Sequence, residues 1–210
     1  MRLKISDYFF LVAFFIANSH AEEQRQYIPI ATSYFSEVNI PSFRENSESK
    51  NCHINILNPY NASIGGSGYR HAIIKNMKSV YNELGFSFIC FEKFSDDWQK
   101  GRAIQFDEQK KIWIKNIKNR LDTSDDPELA NILDKVTEIK NIKAKNSQGF
   151  AITEDDINGD EERRRRMLDF CLIHKTQVLC GNGRIMMLND PRSNLLPYAL
   201  EIIQSIEFLD

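Results

Sequence analysis

The spacing of apolar and polar positions predicts both strands and helices along this chain. Period-two alternation and short apolar runs predict strands over Tyr27–Asn39, Cys52–Leu57, Phe86–Glu92 and Gly183–Leu188, with an extended piece from Gly149. Helical spacing predicts four helices, over Tyr69–Leu84, Phe106–Leu121, Pro127–Ile139 and Leu195–Ile206. Because these elements follow no strict βαβ rhythm, we expect an α+β fold, with small antiparallel sheets packed against about four helices.

A hairpin near the C-terminus is the most specific local signal. Met167–His174 and Gln177–Cys180 have strand character, and Lys175–Thr176 forms a short turn between them. If the hairpin is centred on that turn, Cys171 and Cys180 face each other at a distance that a disulfide bond can span.

The four cysteines are therefore expected to form two structural disulfide bonds. Four cysteines allow three connectivities, the hairpin selects Cys171–Cys180, and Cys52–Cys90 follows by elimination. A cysteine nucleophile or a metal site is the alternative. The chain has no C-x-x-C spacing and no two neighbouring histidines, which favours the disulfides.

The first residues have the pattern of a secretory signal peptide. Arg2 and Lys4 precede a short apolar run, Tyr8–Ala17, and small residues lead to a cleavage site after Ala21. The run is too short for a permanent transmembrane helix, which needs roughly 20 residues. An uncleaved N-terminal anchor is the alternative. We expect residues 1–21 to be removed and residues 22–210 to form a single periplasmic domain, with a subdivision near 145–150.

Composition and charge exclude some classes of partner. Hydrophobic residues make up 42% of the chain and include 14 Phe, enough for a sizeable core. The formal net charge of -2 gives no large positive field for nucleic acid or an anionic membrane. No second long apolar run is present, so we expect no stable membrane span.

Two loop motifs resemble ligand sites without their defining residues. Gly65–Gly68 opens the first predicted helix, where a glycine-rich loop can hold phosphate, but it matches neither nucleotide-binding pattern. Glu154, Asp156 and Asn158 begin like a calcium loop, whose twelfth position should be glutamate and is Arg165 here. We expect ordinary turns at both places, with no metal and no cofactor.

Four consecutive arginines, Arg163–Arg166, follow a run of carboxylates. These carboxylates offset the arginines, so local ion pairing is expected in preference to nucleic-acid binding. Exposed arginines could still anchor a protein partner.

The histidines give no catalytic pattern. His53, His71 and His174 have no carboxylate or serine partner nearby in sequence, and no G-x-S-x-G motif is present. A pocket that gathers His53, His71 or His174 with a carboxylate would indicate a hydrolase. Asn61–Ser63 is a glycosylation sequon, which matters only in a eukaryotic secretory pathway.

The C-terminal third carries a family resemblance. Phe170–Leu188 is a cysteine hairpin followed by a strand, and Leu195–Phe208 is a helix with a Ser-Ile-x-Phe ending. This pattern resembles periplasmic immunity proteins that Gram-negative bacteria encode beside type VI secretion effectors. The resemblance implies a periplasmic protein that binds and blocks a toxin from a rival cell, and it implies no catalytic residues.

We therefore expect a binding protein, and not an enzyme, that neutralises a secreted effector toxin by occluding its active site. An acidic segment is expected to protrude and bind the partner, through Glu154, Asp155, Asp156, Asp160, Glu161 and Glu162. An envelope-assembly or structural protein and a periplasmic hydrolase remain as alternatives.

Overall fold

Antiparallel β-strands dominate the computed structural model, which describes residues 35–42, 51–94, 102–120 and 126–210. The described residues form thirteen strands: β1 (Phe35–Ile40), β2 (Cys52–Leu57), β3 (Ser63–Gly65), β4 (Gly68–Ile73), β5 (Glu83–Ser87), β6 (Ile89–Phe91), β7 (Ile104–Asp107), β8 (Ile112–Lys115), β9 (Thr137–Lys143), β10 (Gln148–Asp155), β11 (Arg165–His174), β12 (Gln177–Met187) and β13 (Glu207–Phe208). They also form two α-helices, α1 (Pro127–Val136) and α2 (Leu196–Gln204), and 3-10 turns at Ile117–Asn119, Glu161–Arg163 and Pro191–Ser193.

Two predictions fall on other parts of the chain. The signal peptide at residues 1–21 lies outside the described residues, and so does most of the strand predicted over Tyr27–Asn39. β1, at Phe35–Ile40, overlaps the end of that predicted strand.

A five-stranded antiparallel sheet with the order β6-β12-β11-β10-β9 forms the centre of the fold. Its longest strands, β11 and β12, are joined at Lys175, whose φ of 53° lets the chain reverse. Cys171 lies opposite Cys180 in the register, as the hairpin predicted. The predicted strand Gly183–Leu188 is largely the continuation of β12, so the hairpin is longer than its sequence pattern indicated.

Side chains of the central sheet alternate between two covered faces. Phe150 and Ile152 of β10 pack on one face against Trp113 and Ile104 of the β7–β8 hairpin. The side-chain amide of Asn141 holds this hairpin in place. It accepts from the backbone nitrogen of Trp113 at 2.7 Å and donates to its carbonyl at 2.9 Å.

The opposite face is covered by two small sheets, β1-β2-β13 and β3-β4-β5, and by α2. Gly181 and Gly183 of β12 allow β5 to approach closely. A Cβ atom at Gly181 would lie 2.2 Å from the carbonyl oxygen of Ser87, and one at Gly183 would lie 2.3 Å from that of Gly85. These glycines therefore set the distance between the central sheet and β5.

The prediction of two disulfide bonds is confirmed. Cys171 is joined to Cys180 within the central hairpin, with 4.1 Å between their Cα atoms. Cys52 is joined to Cys90, with 5.6 Å between their Cα atoms, and this bond ties β2 of the covering layer to β6 of the central sheet.

The expected α+β fold with about four helices is wrong, because two of the predicted helices are strands. Tyr69–Leu84 contains β4, a loop and the start of β5. His71 has a φ of 61°, which an α-helix excludes, and it lies in a bulge between β4 and β5.

The helix predicted over Phe106–Leu121 is also wrong, since this segment contains most of the β7–β8 hairpin. The carboxylate of Asp107 accepts from the backbone nitrogens of Gln109 and Lys110, both at 3.0 Å, and this stabilises the turn. Lys111 completes the reversal with a φ of 56°.

The other two predicted helices are confirmed, with shifted ends. The carboxylate of Asp126 caps α1 by accepting from the backbone nitrogen of Leu129 at 2.9 Å. The helix ends at Val136, three residues before the prediction, because Thr137 begins β9. The apolar side of α2 is buried, and none of the helices in the described ranges is long and apolar enough to cross a membrane.

Candidate functional site: a charged cleft and connection at one end of the central sheet

The predicted partner-binding carboxylates lie at one end of the central sheet. Glu154 and Asp155 are the last residues of β10, and Asp156 follows them. Asp160, Glu161 and Glu162 lie in the β10–β11 connection, which we define as residues 156–164. The first three line an open cleft of about 710 Å³, and the last three lie on the exposed connection beside it.

The β7–β8 segment positions two guanidinium groups in this cleft. Arg102 lies just before β7, and Arg120 follows the 3-10 turn after β8. The backbone nitrogen of Asn116 donates to the carbonyl of Ala103 at 2.8 Å, which closes the segment between the two arginines. Both side chains therefore sit at fixed positions over the end of the central sheet.

Each guanidinium contacts a carboxylate of the central sheet. Arg102 forms an ion pair with Asp169 of β11, and Arg120 forms one with Glu154 of β10. Glu154 also accepts from the hydroxyl of Thr137 at 3.3 Å. All four charged side chains are about two-thirds or more buried, which favours a fixed arrangement of charge.

The acidic and arginine runs pair with each other, as their sequence predicted. Arg166 donates two hydrogen bonds to the carboxylate of Asp155, at 2.5 and 2.8 Å, and this raises the pKa of the guanidinium. The backbone nitrogen of Arg165 donates to Asp156 at 2.9 Å. These contacts fix the two ends of the connection where it leaves the sheet.

The middle of the connection presents charges of both signs to solvent. Asp160 caps the Glu161–Arg163 turn by accepting from the backbone nitrogen of Glu162 at 3.1 Å. The side chain of Glu161 is 87% exposed and that of Arg163 is 83% exposed. Of the calcium-like pattern, Glu154 lies in β10, while Asp156 and Asn158 precede the capped turn. Among the described residues, no group of three or more His, Cys, Asp or Glu side chains is placed to hold a metal ion.

The histidines lie on three different sheets. His53 of β2 pairs with Glu37 at 2.7 Å, and His71 of β4 pairs with Glu83 at 2.5 Å. His174 of β11 stacks on Phe208, with ring centroids 5.1 Å apart. His174 also lies 3.1 Å from the carboxylate of Asp210, so each histidine has its own local partner and the three lie on separate sheets.

The expectation that Gly65–Gly68 opens a helix is wrong, so this loop offers no helix N-terminus to a phosphate. Gly65 and Gly68 are paired across the tight β3–β4 turn. The sequon residue Asn61 lies in the connection before β3, with a φ of 52°.

Sequence reasoning missed Arg102, Arg120 and Asp169. Asp169 had a usable signal, because it is a charged residue within the otherwise apolar run Met167–Ile173. Arg102 and Arg120 had no such signal, because their ion pairs depend on the β7–β8 hairpin, most of which was expected to be a helix.

Comparisons with protein-family models, curated proteins and solved structures find no match for this chain.

Proposed function

We propose that this chain is an extracytoplasmic binding protein that neutralises a protein toxin by occluding its active site. One observation carries the proposal: the β10–β11 connection presents exposed charges from a base that is held on both sides. The proposal follows the family resemblance of Phe170–Leu188 and Leu195–Phe208, and these segments supply β12, much of β11 and α2.

The base of the connection supports this role because binding by a preorganised loop loses little conformational entropy. Arg166 is clamped by Asp155, and the backbone nitrogen of Leu188 donates to the carbonyl of Arg164 at 2.9 Å. The Cys171–Cys180 bond further restrains β11, the strand that continues from the connection, against β12.

The charges of the connection suit the rim of a protein interface. Asp160, Glu161 and Glu162 lie beside Arg163, so both signs are available to steer a partner of mixed charge. An interface of about 800 Å² on each partner is enough for a stable complex.

The two disulfide bonds are compatible with a secreted or periplasmic protein, because such bonds persist in oxidising compartments. The proposed compartment is the periplasm, and the proposed partner is a secreted effector encoded beside this chain.

Protection of living cells tests this proposal. The neighbouring effector is directed to the periplasm of a sensitive bacterium, with either the full chain or an empty vector. We expect the full chain to restore growth and residues 22–210 to co-elute with the effector as a complex of one copy each. Unchanged killing, with separate elution at about 10 µM of each protein, would overturn the proposal.

A further inference from the structure

The loop between β4 and β5, residues 74–82, displays the most exposed large hydrophobic side chain in the described part of the chain. Val80 is 87% exposed, and the neighbouring Tyr81 is 42% exposed. Ile73, which precedes the loop, is 44% exposed. Clustered exposed apolar side chains mark a protein interaction site more often than single ones do.

The loop holds Val80 outward from a fixed backbone. Ile74 and Ser79 are buried, and Met77 packs against the main core. The backbone nitrogen of Ile74 donates to the carbonyl of Asn82 at 2.9 Å, and that of Tyr81 donates to the hydroxyl of Ser79 at 3.0 Å. Val80 is thus flanked by anchored neighbours, so little conformational entropy is lost when a partner covers it.

Strand packing places this loop near the β10–β11 connection. Gly181 of β12 approaches Ser87 and Gly183 approaches Gly85, so β5 runs antiparallel to β12 and the loop that precedes β5 lies toward the end of β12. Just beyond that end, the backbone nitrogen of Leu188 donates to the carbonyl of Arg164, at the end of the connection. Loop 74–82 and the connection therefore belong to the same end of the β11–β12 hairpin.

The local charge of the loop is opposite in sign to the net charge of the chain. Lys75 and Lys78 are exposed, and residues 74–82 contain no Asp or Glu. An apolar tip with adjacent cations fits an apolar depression that is bordered by carboxylates.

We infer that loop 74–82 is the apolar anchor of the interface and that it docks into an apolar depression bordered by carboxylates on the partner protein. The inference rests on the proposed function and identifies the part of the surface that supplies the affinity. Interface centres are depleted in charged residues, so the acidic connection suits the rim and Val80 with Tyr81 suits the centre.

Binding of the neighbouring effector to Val80→Glu tests this inference. Ile132→Glu is the matched control, because Ile132 of α1 is a 40% exposed hydrophobic residue on another element. We expect Val80→Glu to weaken the Kd about 30-fold or more, while Ile132→Glu binds like the parent. Both variants should keep the parent Tm within a few degrees, because neither side chain is buried.

The outcomes separate the inference from the proposed function. If the parent binds and Val80→Glu binds equally well, the inference is overturned and the proposed function stands. If the parent itself does not bind, both are overturned. If the parent forms a dimer that Val80→Glu dissociates, the loop serves a second copy of this chain and the inferred partner is wrong.

The lysines supply a second readout on the same complex. Lys75→Glu with Lys78→Glu should slow association about tenfold at low salt and reduce its salt dependence. The matched double variant Lys110→Glu with Lys111→Glu, in the β7–β8 turn, should leave the association rate unchanged. Equal association rates for the two variants would contradict the inferred border of carboxylates on the partner protein.

Discussion

Gly183 and Gly85 are 98 positions apart in the sequence, yet a Cβ atom at Gly183 would lie 2.3 Å from the carbonyl oxygen of Gly85. This close approach holds β5, and the loop before it that displays Val80, against the last part of β12. Just beyond β12, the backbone nitrogen of Leu188 donates to the carbonyl of Arg164, so the exposed apolar tip and the charged β10–β11 connection lie at one end of the β11–β12 hairpin.

Acid should weaken the contact between Asp190 and Arg192, in the segment that follows β12. Hydrogen bonds from the side chain and the backbone nitrogen of Arg192 lower the pKa of Asp190 below its ordinary value of about 3.9. A lowered folded-state pKa stabilises the fold above the ordinary value, and this contribution is lost as the pH falls through the folded-state pKa. Asp190→Asn cannot titrate, so its deficit in Tm relative to the parent should shrink between about pH 5 and pH 2. A deficit in Tm that does not change with pH would contradict a stabilising role of the ionised Asp190 carboxylate.

The two disulfide bonds should differ in their contribution to stability. Cys171 and Cys180 close a loop with a sequence separation of 9, whereas Cys52 and Cys90 close one of 38. Chain-entropy arguments give about 2–3 kcal/mol for the shorter loop and about 4 kcal/mol for the longer one. Urea unfolding of the two double Cys→Ala variants measures both, and the larger loss is expected for the Cys52–Cys90 pair. Equal losses would show that loop length does not govern these bonds.

The buried Tyr69 and the partly buried Tyr60 should respond in opposite directions to loss of their hydroxyl groups. The hydroxyl of Tyr69 is buried without a hydrogen-bond partner in the described residues, and burial raises its pKa. Tyr69→Phe should therefore stabilise the fold by about 1–2 kcal/mol.

Tyr60 is the matched control for this change. Its hydroxyl donates to Glu201 at 3.3 Å, and burial raises the pKa of this tyrosine as well. Tyr60→Phe should cost about 0.5–1.5 kcal/mol in the same denaturant titration. A loss of stability in Tyr69→Phe would mean that its hydroxyl has a partner, such as a bound water.

The contact between β12 and β5 should not tolerate a methyl group. Gly181→Ala would place a Cβ atom 2.2 Å from the carbonyl oxygen of Ser87 and 2.6 Å from the ring of Phe170. We expect a cost of about 1–3 kcal/mol. Gly65→Ala meets nothing within 4 Å and should change the melting temperature little. Similar melting temperatures for the two variants would show that the sheets can move apart at Gly181.

The C-terminal hairpin could be predicted because its signals are local. A two-residue turn fixes the register of the strands on either side. Cys171 and Cys180 each lie four residues from their side of the turn, so they must face each other. The capping pair Asp126–Pro127 likewise marks the start of α1 within a few neighbouring residues.

The Tyr69–Leu84 segment could not be predicted in the same way. Ile73, Met77, Val80 and Leu84 match a helical spacing, but the structure exposes Val80 and buries Leu84. The burial of Leu84 depends on the packing of β5 against β12, and this contact is nearly 100 residues distant in sequence. Strand pairing between distant parts of the chain therefore overrides the helical spacing of this short segment.

The candidate site was only partly predictable for the same reason. The acidic run was visible in the sequence, whereas Arg102 and Arg120 reach Asp169 and Glu154 only through the folded β7–β8 segment. The sequence pattern placed residues 74–82 in a helix, so it did not indicate that Val80 is exposed on a loop.

Titration of the neighbouring effector's activity with residues 22–210 measures neutralisation itself. We expect the activity to fall in proportion to added chain and to reach background at one equivalent, while Val80→Glu requires a large excess. An effector that retains full activity at saturating chain would contradict neutralisation by occlusion.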